Sequence, residues 1–508
     1  MEPKHIIALE IGSSKIRGAS GTYDPLTGAV TVTAVQEEKL VDCVRYGCIQ
    51  NVAEVTNRVR SIINRLQDAD PSRVIKGVYV GIGGRSLSAS ATPFERRFAT
   101  DTEITADIIN NIFDEARSAA FVDRDIIDVT PREFRIDSGN VARPIGNMSR
   151  SISAVLNLIS ARPQIKRNIN TVVRDRLGLA INGYIVRQIA ISNVVLSYDE
   201  SRLGCMLVDF GAETTTVSIH RGGMLQYLAT LPMGSRNITR DITALNHLEE
   251  NAEQLKIRSG NVSKPSMTAA YGAYDPAAPY GGDFVEMNNY VAARAGEIIA
   301  NIIQQIKYAG LTADKLPGGI VIVGNGARLR GFNEALSEAA EMSVHVGTPT
   351  GISIKDPSIH LSEAVDVISI LHAAATGGGR DCTESLRRAQ PQPQPRPETA
   401  GPTWQELQAQ QLAQQQAELA RQQAQQRARE EARLRAEQEV LQRAEQEARE
   451  RAEREAQQQN NPTPEHESNK KKGPANKNIF TRIADWGKVK ILEAMREEGE
   501  DEFDAEEE

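Results

Sequence analysis

Two short segments about 200 residues apart share a carboxylate, a glycine and following hydroxyls in the same order. The first is Ala8-Leu9-Glu10-Ile11-Gly12-Ser13-Ser14-Lys15: an apolar strand, a carboxylate, a glycine turn, then two hydroxyls and a lysine. The second, Val208-Asp209-Phe210-Gly211-Ala212-Glu213-Thr214-Thr215-Thr216, repeats that plan. Such hairpins suit a phosphate held between two lobes, with backbone N–H and hydroxyl groups donating to its oxygens and carboxylates holding hydrated Mg²⁺. A third segment, Gly318-Gly319-Ile320-Val321-Ile322-Val323-Gly324-Asn325-Gly326-Ala327, is a buried strand ending in small residues, where a flat base and ribose can approach the backbone. Each segment alone is also an ordinary turn of an α/β protein, so the inference rests on the three together.

The elements that must position these groups are short β-branched runs bounded by glycine, namely HIIALEI, GVYVGIGG, GCMLVDFG, TTVSIHRG and GGIVIVGNG, separated by helical patterns. They read as the buried strands of an α/β fold. The pattern stops near residue 378, where Gly377-Gly378-Gly379 precedes PQPQPRP at 391–397, a segment that cannot pack and reads as a linker. With 59 Lys+Arg against 67 Asp+Glu, the net charge of -8 argues against a protein that coats nucleic acid, so no nucleic-acid partner is expected. The four cysteines, Cys43, Cys48, Cys205 and Cys382, form no Cys-x-x-Cys pair, which favours neither a zinc site nor a disulfide framework. The first residues lack the features of a secretory signal, and no run of 18 apolar residues is present.

In this order and spacing the three segments resemble the phosphate-1, phosphate-2 and adenosine motifs of the actin, sugar-kinase and heat-shock-chaperone ATPase superfamily. Within it the sequence is similar to the FtsA cell-division family. Leu9 to Lys15 resembles that family's opening; Pro232-Met233-Gly234-Ser235 with Asn237-Ile238-Thr239-Arg240-Asp241-Ile242 resembles its signature after phosphate-2. Ala252-Glu253-Gln254-Leu255-Lys256 resembles the helix that sets a glutamate and a lysine against the ribose, and the i,i+3 spacing of Glu253 and Lys256 puts both on one face.

The resemblance implies an actin-like two-lobed α/β ATPase fold with a relocated small subdomain. Residues 1–85 would form subdomain 1A with phosphate-1, 86–162 subdomain 1C, 163–203 the second part of 1A, and 204–236 subdomain 2A with phosphate-2. Residues 237–315 would form 2B, and 316–380 the end of 2A and a return helix to 1A. It further implies ATP with Mg²⁺ as cofactors. Gly12, Ser13, Ser14, Lys15, Gly211, Thr214 and Thr215 would stand near phosphates, Glu253 and Lys256 near ribose, and Gly324, Asn325, Gly326 and Ala327 near adenine. Asp209 and Glu10 would hold the metal.

Two departures from the superfamily pattern bear on the site. Ala212-Glu213 stands where glycines are usual, and a carboxylate there would repel the nucleotide unless it points away or helps hold Mg²⁺. Asn325 replaces the second glycine of the adenosine pair, a change expected to weaken affinity. The stretch at 264–284, rich in Gly, Pro and Tyr, is expected to be loop.

Residues 381–476 read as a low-complexity linker. Its 404–459 stretch is almost wholly Gln, Ala, Glu, Arg and Leu and predicts a long helix. Small residues recur there about every 3.9 positions, unlike the 3.5 of a coiled-coil seam, so a solvated single-helix spacer is favoured over a coiled coil. In 477–496, Ile479, Phe480, Ile483 and Trp486 share one helix face, with Lys477, Arg482 and Lys488 among the basic residues around it; this suits an amphipathic helix lying in the interface of an anionic membrane. FtsA proteins end in a similar helix. Nine of the last twelve residues, 497–508, are acidic.

The resemblance therefore implies a peripheral protein at the cytoplasmic face of the cell membrane, at the division septum. It would bind ATP, polymerise with itself, tie FtsZ filaments to the membrane and recruit other divisome proteins. No residue in the motifs is an evident activator of water, so no catalytic residue is assigned and slow or absent hydrolysis is expected. The alternatives are an actin-fold phosphotransferase resembling carbohydrate kinases, and a pilus-assembly actin-like ATPase.

Overall fold

The computed structural model describes residues 2–263 and 284–385. The 264–283 stretch, most of the 381–476 linker with its 404–459 helix, the 477–496 helix and the 497–508 tail lie outside the described residues.

Two sheets share one plan. In the first lobe the strand Lys4–Ile11 pairs antiparallel with Lys15–Tyr23, which pairs antiparallel with Val30–Lys39; on its other side it runs parallel to Gly77–Ile82, and that strand runs parallel to Ala180–Val186. The short strand Ile352–Ile354 adds a sixth at the Val30–Lys39 edge. In the second lobe Cys205–Phe210 takes the central place. It is antiparallel to Thr215–Arg221, which is antiparallel to Met224–Leu231, and parallel to Ile320–Val323, which is parallel to Val344–Val346. The two acid-glycine turns therefore join equivalent strands of a repeated unit. Central strands such as Cys205–Phe210 are buried along their whole length, as expected when both faces of a sheet are covered.

The helix Val365–Thr376 packs on Lys4–Ile11, Lys15–Tyr23 and the helix Arg187–Val195, and nearly all its side chains are buried. On the first lobe's Val52–Ala69 helix, the Asn51 side chain accepts from Glu54 N–H at 3.0 Å, the usual satisfaction of a free helix-start donor. In the second lobe the helices Ser235–Ile242, Glu249–Ser259 and Phe284–Tyr308 contribute Ile238, Ile242, Ala252, Val291 and Ile298 to one core with Met206, Val208 and Phe210 of the sheet. The 237–315 segment and the sheet share that core. A smaller apolar seam of Ile191, Val194, Leu207, Val321, Val323 and Val365 joins the two lobes.

Between Gly77–Ile82 and the helix Pro163–Asn170 the chain forms a separate antiparallel sheet, in the order Gly139–Asn140, Asp125–Ile136, Met148–Ala161, Ser88–Glu103. Its helix Ala106–Arg117 closes a core of Phe94, Ile109, Ile112, Phe113 and Leu156. Asn157 fastens this unit to the second lobe: its Nδ2 donates to Thr130 Oγ1 at 2.8 Å and to Leu225 O at 3.0 Å.

The folded body continues past 380. Cys382 is buried, and Thr383–Ser385 pairs antiparallel with Arg73–Ile75, so the first residues assigned to the linker belong to a sheet.

Candidate nucleotide-binding cleft

A cleft of about 900 Å³ lies between the lobes, and both acid-glycine turns face it. The turns have the same local geometry. Gly12 N–H donates to Lys15 O at 3.0 Å, and Gly211 N–H donates to Thr214 O at 2.9 Å. A Cβ on either glycine would stand 2.9 Å from that accepting carbonyl, which explains why each turn opens with glycine. Gly12, Ser13, Ser14, Lys15, Gly211 and Thr214 all line the cleft, as do Glu253, Lys256, Gly324, Asn325 and Gly326.

Two residues expected beside them do not reach it. Thr215 is fully buried and its Oγ1 donates to Met233 O at 2.8 Å. Ala327 is turned into the second-lobe core by the short 3₁₀ turn Asn325–Arg328. The small residues of this segment have a packing reason as well as the ligand reason inferred from sequence. Gly324 sits at φ 87°, and a Cβ there would stand 2.5 Å from Phe210 O and 2.8 Å from Asp209 Oδ1. Asn325 is exposed at the cleft.

The charged floor of the cleft contains partners that sequence reading missed. Arg187, the first residue of its helix, places Nη1 2.6 Å from Glu10 Oε1 and Nη2 2.7 Å from Asp209 Oδ2. The first contact is a hydrogen bond; the second is an ion pair off hydrogen-bond geometry, leaving Oδ2 without one. Arg17 bridges Asp366 at 2.7 Å and Glu37 at 2.9 Å, and Lys15 Nζ donates to both oxygens of Glu37 at 2.8 and 2.9 Å. Burial pushes the Glu10 carboxyl up to about 7 against the opposing pull of Arg187, and raises Asp209 in the same way. Hydrogen bonds and charge from Lys15 and Arg17 outweigh burial at Glu37 and hold it below its ordinary value.

Lys256 lines the cleft, yet its three N–H groups are already used. They donate to Ser235 O at 3.0 Å, Thr239 Oγ1 at 2.8 Å and Glu253 Oε2 at 2.7 Å, tying two helices together. Burial pulls its pKa down.

Glu213, the carboxylate out of pattern, turns away from the Arg187 cluster. It is 2% exposed and accepts from Tyr46 N–H at 2.8 Å; Arg240 Nη2 lies 3.3 Å and Arg236 Nη1 3.5 Å from its Oε1. Tyr46, at φ 49°, and Gly47, at φ 83°, form the turn of a two-residue hairpin between Val44–Arg45 and Cys48–Ile49, the backbone pattern of a type I′ turn. That hairpin belongs to the first lobe. Arg236 also pairs with Asp42 at 2.7 Å and with Glu249, which extends the same cross-cleft contact.

Asp209 and Glu10 do not fit a metal in this arrangement. Both are committed to Arg187, and among the described residues no group of three or more His, Cys, Asp or Glu side chains converges as a metal site.

Among the described residues no helix is long and apolar enough to cross a membrane. The family model for Cell division protein FtsA matches residues 206–364, and the model for the SHS2 domain inserted in FTSA matches residues 85–160, which include most of the inserted sheet. Cell division protein FtsA of Porphyromonas gingivalis is 30% identical over 369 residues, 71% of this chain and 74% of that protein. Cell division protein FtsA of Pseudomonas aeruginosa is 26% identical over 361 residues, 69% of this chain and 84% of that protein. Among solved structures, the PilM-PilN type IV pilus biogenesis complex shares the fold at a TM-score of 0.50 and 15% identity, over 73% of this chain and 98% of that one. The chain belongs to the FtsA family of cell-division proteins, and its body has the actin-like fold.

Proposed function

We propose that this chain binds ATP between its lobes and uses the bound nucleotide as a conformational switch for assembling with copies of itself. The observation that carries this reading is the duplicated turn: equivalent glycine N–H bonds, at 3.0 and 2.9 Å, shape two loops that face one cleft from opposite lobes. Ser13, Ser14, Lys15 and Thr214 offer donors to phosphate oxygens there. Lys15 exchanges Glu37 for phosphate when nucleotide enters. Asn325 and Gly326 meet the base, and Glu253 meets the ribose with its carboxylate. Hydrolysis is slow or absent, and the nucleotide's work is binding.

Assembled on the cytoplasmic face of the membrane at the septum, the filament ties FtsZ to the bilayer and recruits later division proteins. The 477–496 segment supplies the attachment and 404–459 the distance. Membership of the FtsA family and the basic, aromatic pattern of 477–496 support this part of the reading. Calorimetry with ATP tests the site: Lys15→Ala lowers affinity by about tenfold or more, a loss of about 1.4 kcal/mol. Unchanged affinity in this variant contradicts the assignment.

A further inference from the structure

We infer that Arg187 is a built-in cation standing where a divalent metal would otherwise bridge the two phosphate loops, so that this chain binds the triphosphate of ATP with little dependence on Mg²⁺. The inference rests on the nucleotide reading of the cleft.

The position of Arg187 has no explanation within its own helix. It opens Arg187–Val195, and the start of a helix carries the positive end of the macrodipole, which disfavours a cation. Most of the other residues of that helix are buried, Ile189, Ala190, Ile191, Val194 and Val195 as apolar packing. What holds the guanidinium there is the pair of carboxylates, one from each loop: Glu10 at 2.6 Å and Asp209 at 2.7 Å, which are 4% and 5% exposed. The backbone makes room for it as well. A Cβ on Gly83 would stand 3.4 Å from Arg187 Cζ and 3.5 Å from Nη2, so the guanidinium packs against a bare glycine.

The arrangement meets the requirement that a metal usually meets. Four carboxyl groups, Glu10, Asp209, Asp366 and Glu37, stand on the floor of the cleft with three cations, Arg17, Lys15 and Arg187. Without Arg187 an incoming triphosphate would face two carboxylates with no counter-charge of their own. Mg²⁺ could neutralise them only with near-octahedral oxygens at about 2.0–2.1 Å and several retained waters. A guanidinium stays charged at every relevant pH and carries five N–H donors, more than its two carboxylate contacts use. Arg187 lines the cleft, so the rest of that donor set is at hand for phosphate oxygens.

The test measures ATP binding to the full-length protein by calorimetry in excess Mg²⁺ and again in excess EDTA. The wild type is expected to change affinity by less than about threefold between the two. In Arg187→Gln, chelation is expected to weaken binding by about tenfold or more, because the carboxylates then need an external cation. Arg187→Lys keeps the charge without the two-pronged bridge and should fall between them. A second readout needs no nucleotide: Mn²⁺ added to the protein alone should give no bound signal by electron paramagnetic resonance in wild type and should gain one in Arg187→Gln. If wild type binds ATP in Mg²⁺ but loses about tenfold or more on chelation, or binds Mn²⁺ alone, the inference fails while the nucleotide reading stands. No ATP binding under either condition overturns both. The wild-type comparison decides the matter even if the glutamine variant does not fold.

Discussion

Glu213 Oε2 accepts a 2.8 Å hydrogen bond from the backbone N–H of Tyr46, so the second acid-glycine turn grips the tip of a hairpin that belongs to the opposite lobe. The carboxylate that breaks the glycine pattern thereby spans the cleft, with its charge engaged by Tyr46, Arg236 and Arg240. The hairpin tip is fixed on its own side by Arg85 N–H donating to Tyr46 O at 2.9 Å.

Glu213→Ala is therefore expected to loosen the hairpin from the second lobe and to lower stability by about 2 kcal/mol, the cost of leaving buried donors without their acceptor. Hydrogen exchange followed by mass spectrometry on peptides covering 44–49 should show faster exchange in this variant. Glu213→Gln, which keeps an acceptor but loses the charge, should be intermediate. Unchanged exchange at Tyr46 in the alanine variant would show that the contact does not hold the lobes together.

A second expectation concerns pH. His220 is 3% exposed, with Nε2 3.1 Å from Ser218 Oγ, and burial pushes its pKa from 6.5 down to about 4. The unfolded chain takes up a proton below about pH 6.5 that the folded chain refuses until about pH 4, so this group lowers stability as pH falls through that window. The full effect is about 3 kcal/mol. Glu10, raised to about 7 from 4.5, acts the other way: the stability it contributes is present below about pH 4.5 and is lost as pH rises through about 7. Urea unfolding of wild type and His220→Gln from pH 4 to 7 separates them, because only the histidine contribution disappears. Parallel curves for the two proteins would mean that His220 is not buried uncharged.

Membrane attachment is expected to depend on the apolar face of 477–496 more than on its charge. Full burial of a large apolar side chain contributes about 1.5–3 kcal/mol, and interfacial burial less, while each Lys or Arg adds about 1 kcal/mol near an anionic surface. Phe480→Ala with Trp486→Ala should release the protein from anionic liposomes even at low salt, in a flotation assay. Polymerisation should partly restore binding through multivalency. Equal flotation of the double variant would place the anchor elsewhere.

The two acid-glycine turns that face the cleft are legible in the sequence because their pattern is local: acid, glycine and hydroxyls follow one another within eight residues of chain. What converges on them is not, because Arg187 and Asp366 approach only through the order of strands and helices. A signal existed in both cases. Each charge stands within the first two residues of a largely buried helix, Arg187–Val195 and Val365–Thr376, where a charged residue must find a partner. Thr215, expected beside a phosphate, enters the strand and its Oγ1 donates to Met233 O, while Thr214 still belongs to the turn. Lys256 shares a helix face with Glu253 as the spacing implied, yet Ser235 and Thr239, on another helix, absorb its donors. The Tyr46-Gly47 turn escaped notice because tyrosine seldom takes positive φ, and here contacts from both lobes hold it there.

The central claim is that nucleotide drives this actin-like chain to assemble on a membrane, and electron microscopy of the purified full-length protein on anionic lipid monolayers, with and without ATP, addresses it most directly. The account predicts filaments on the monolayer with ATP, and few or none without it. An even scatter of single particles under both conditions, together with rapid phosphorylation of a small metabolite in solution, would contradict it.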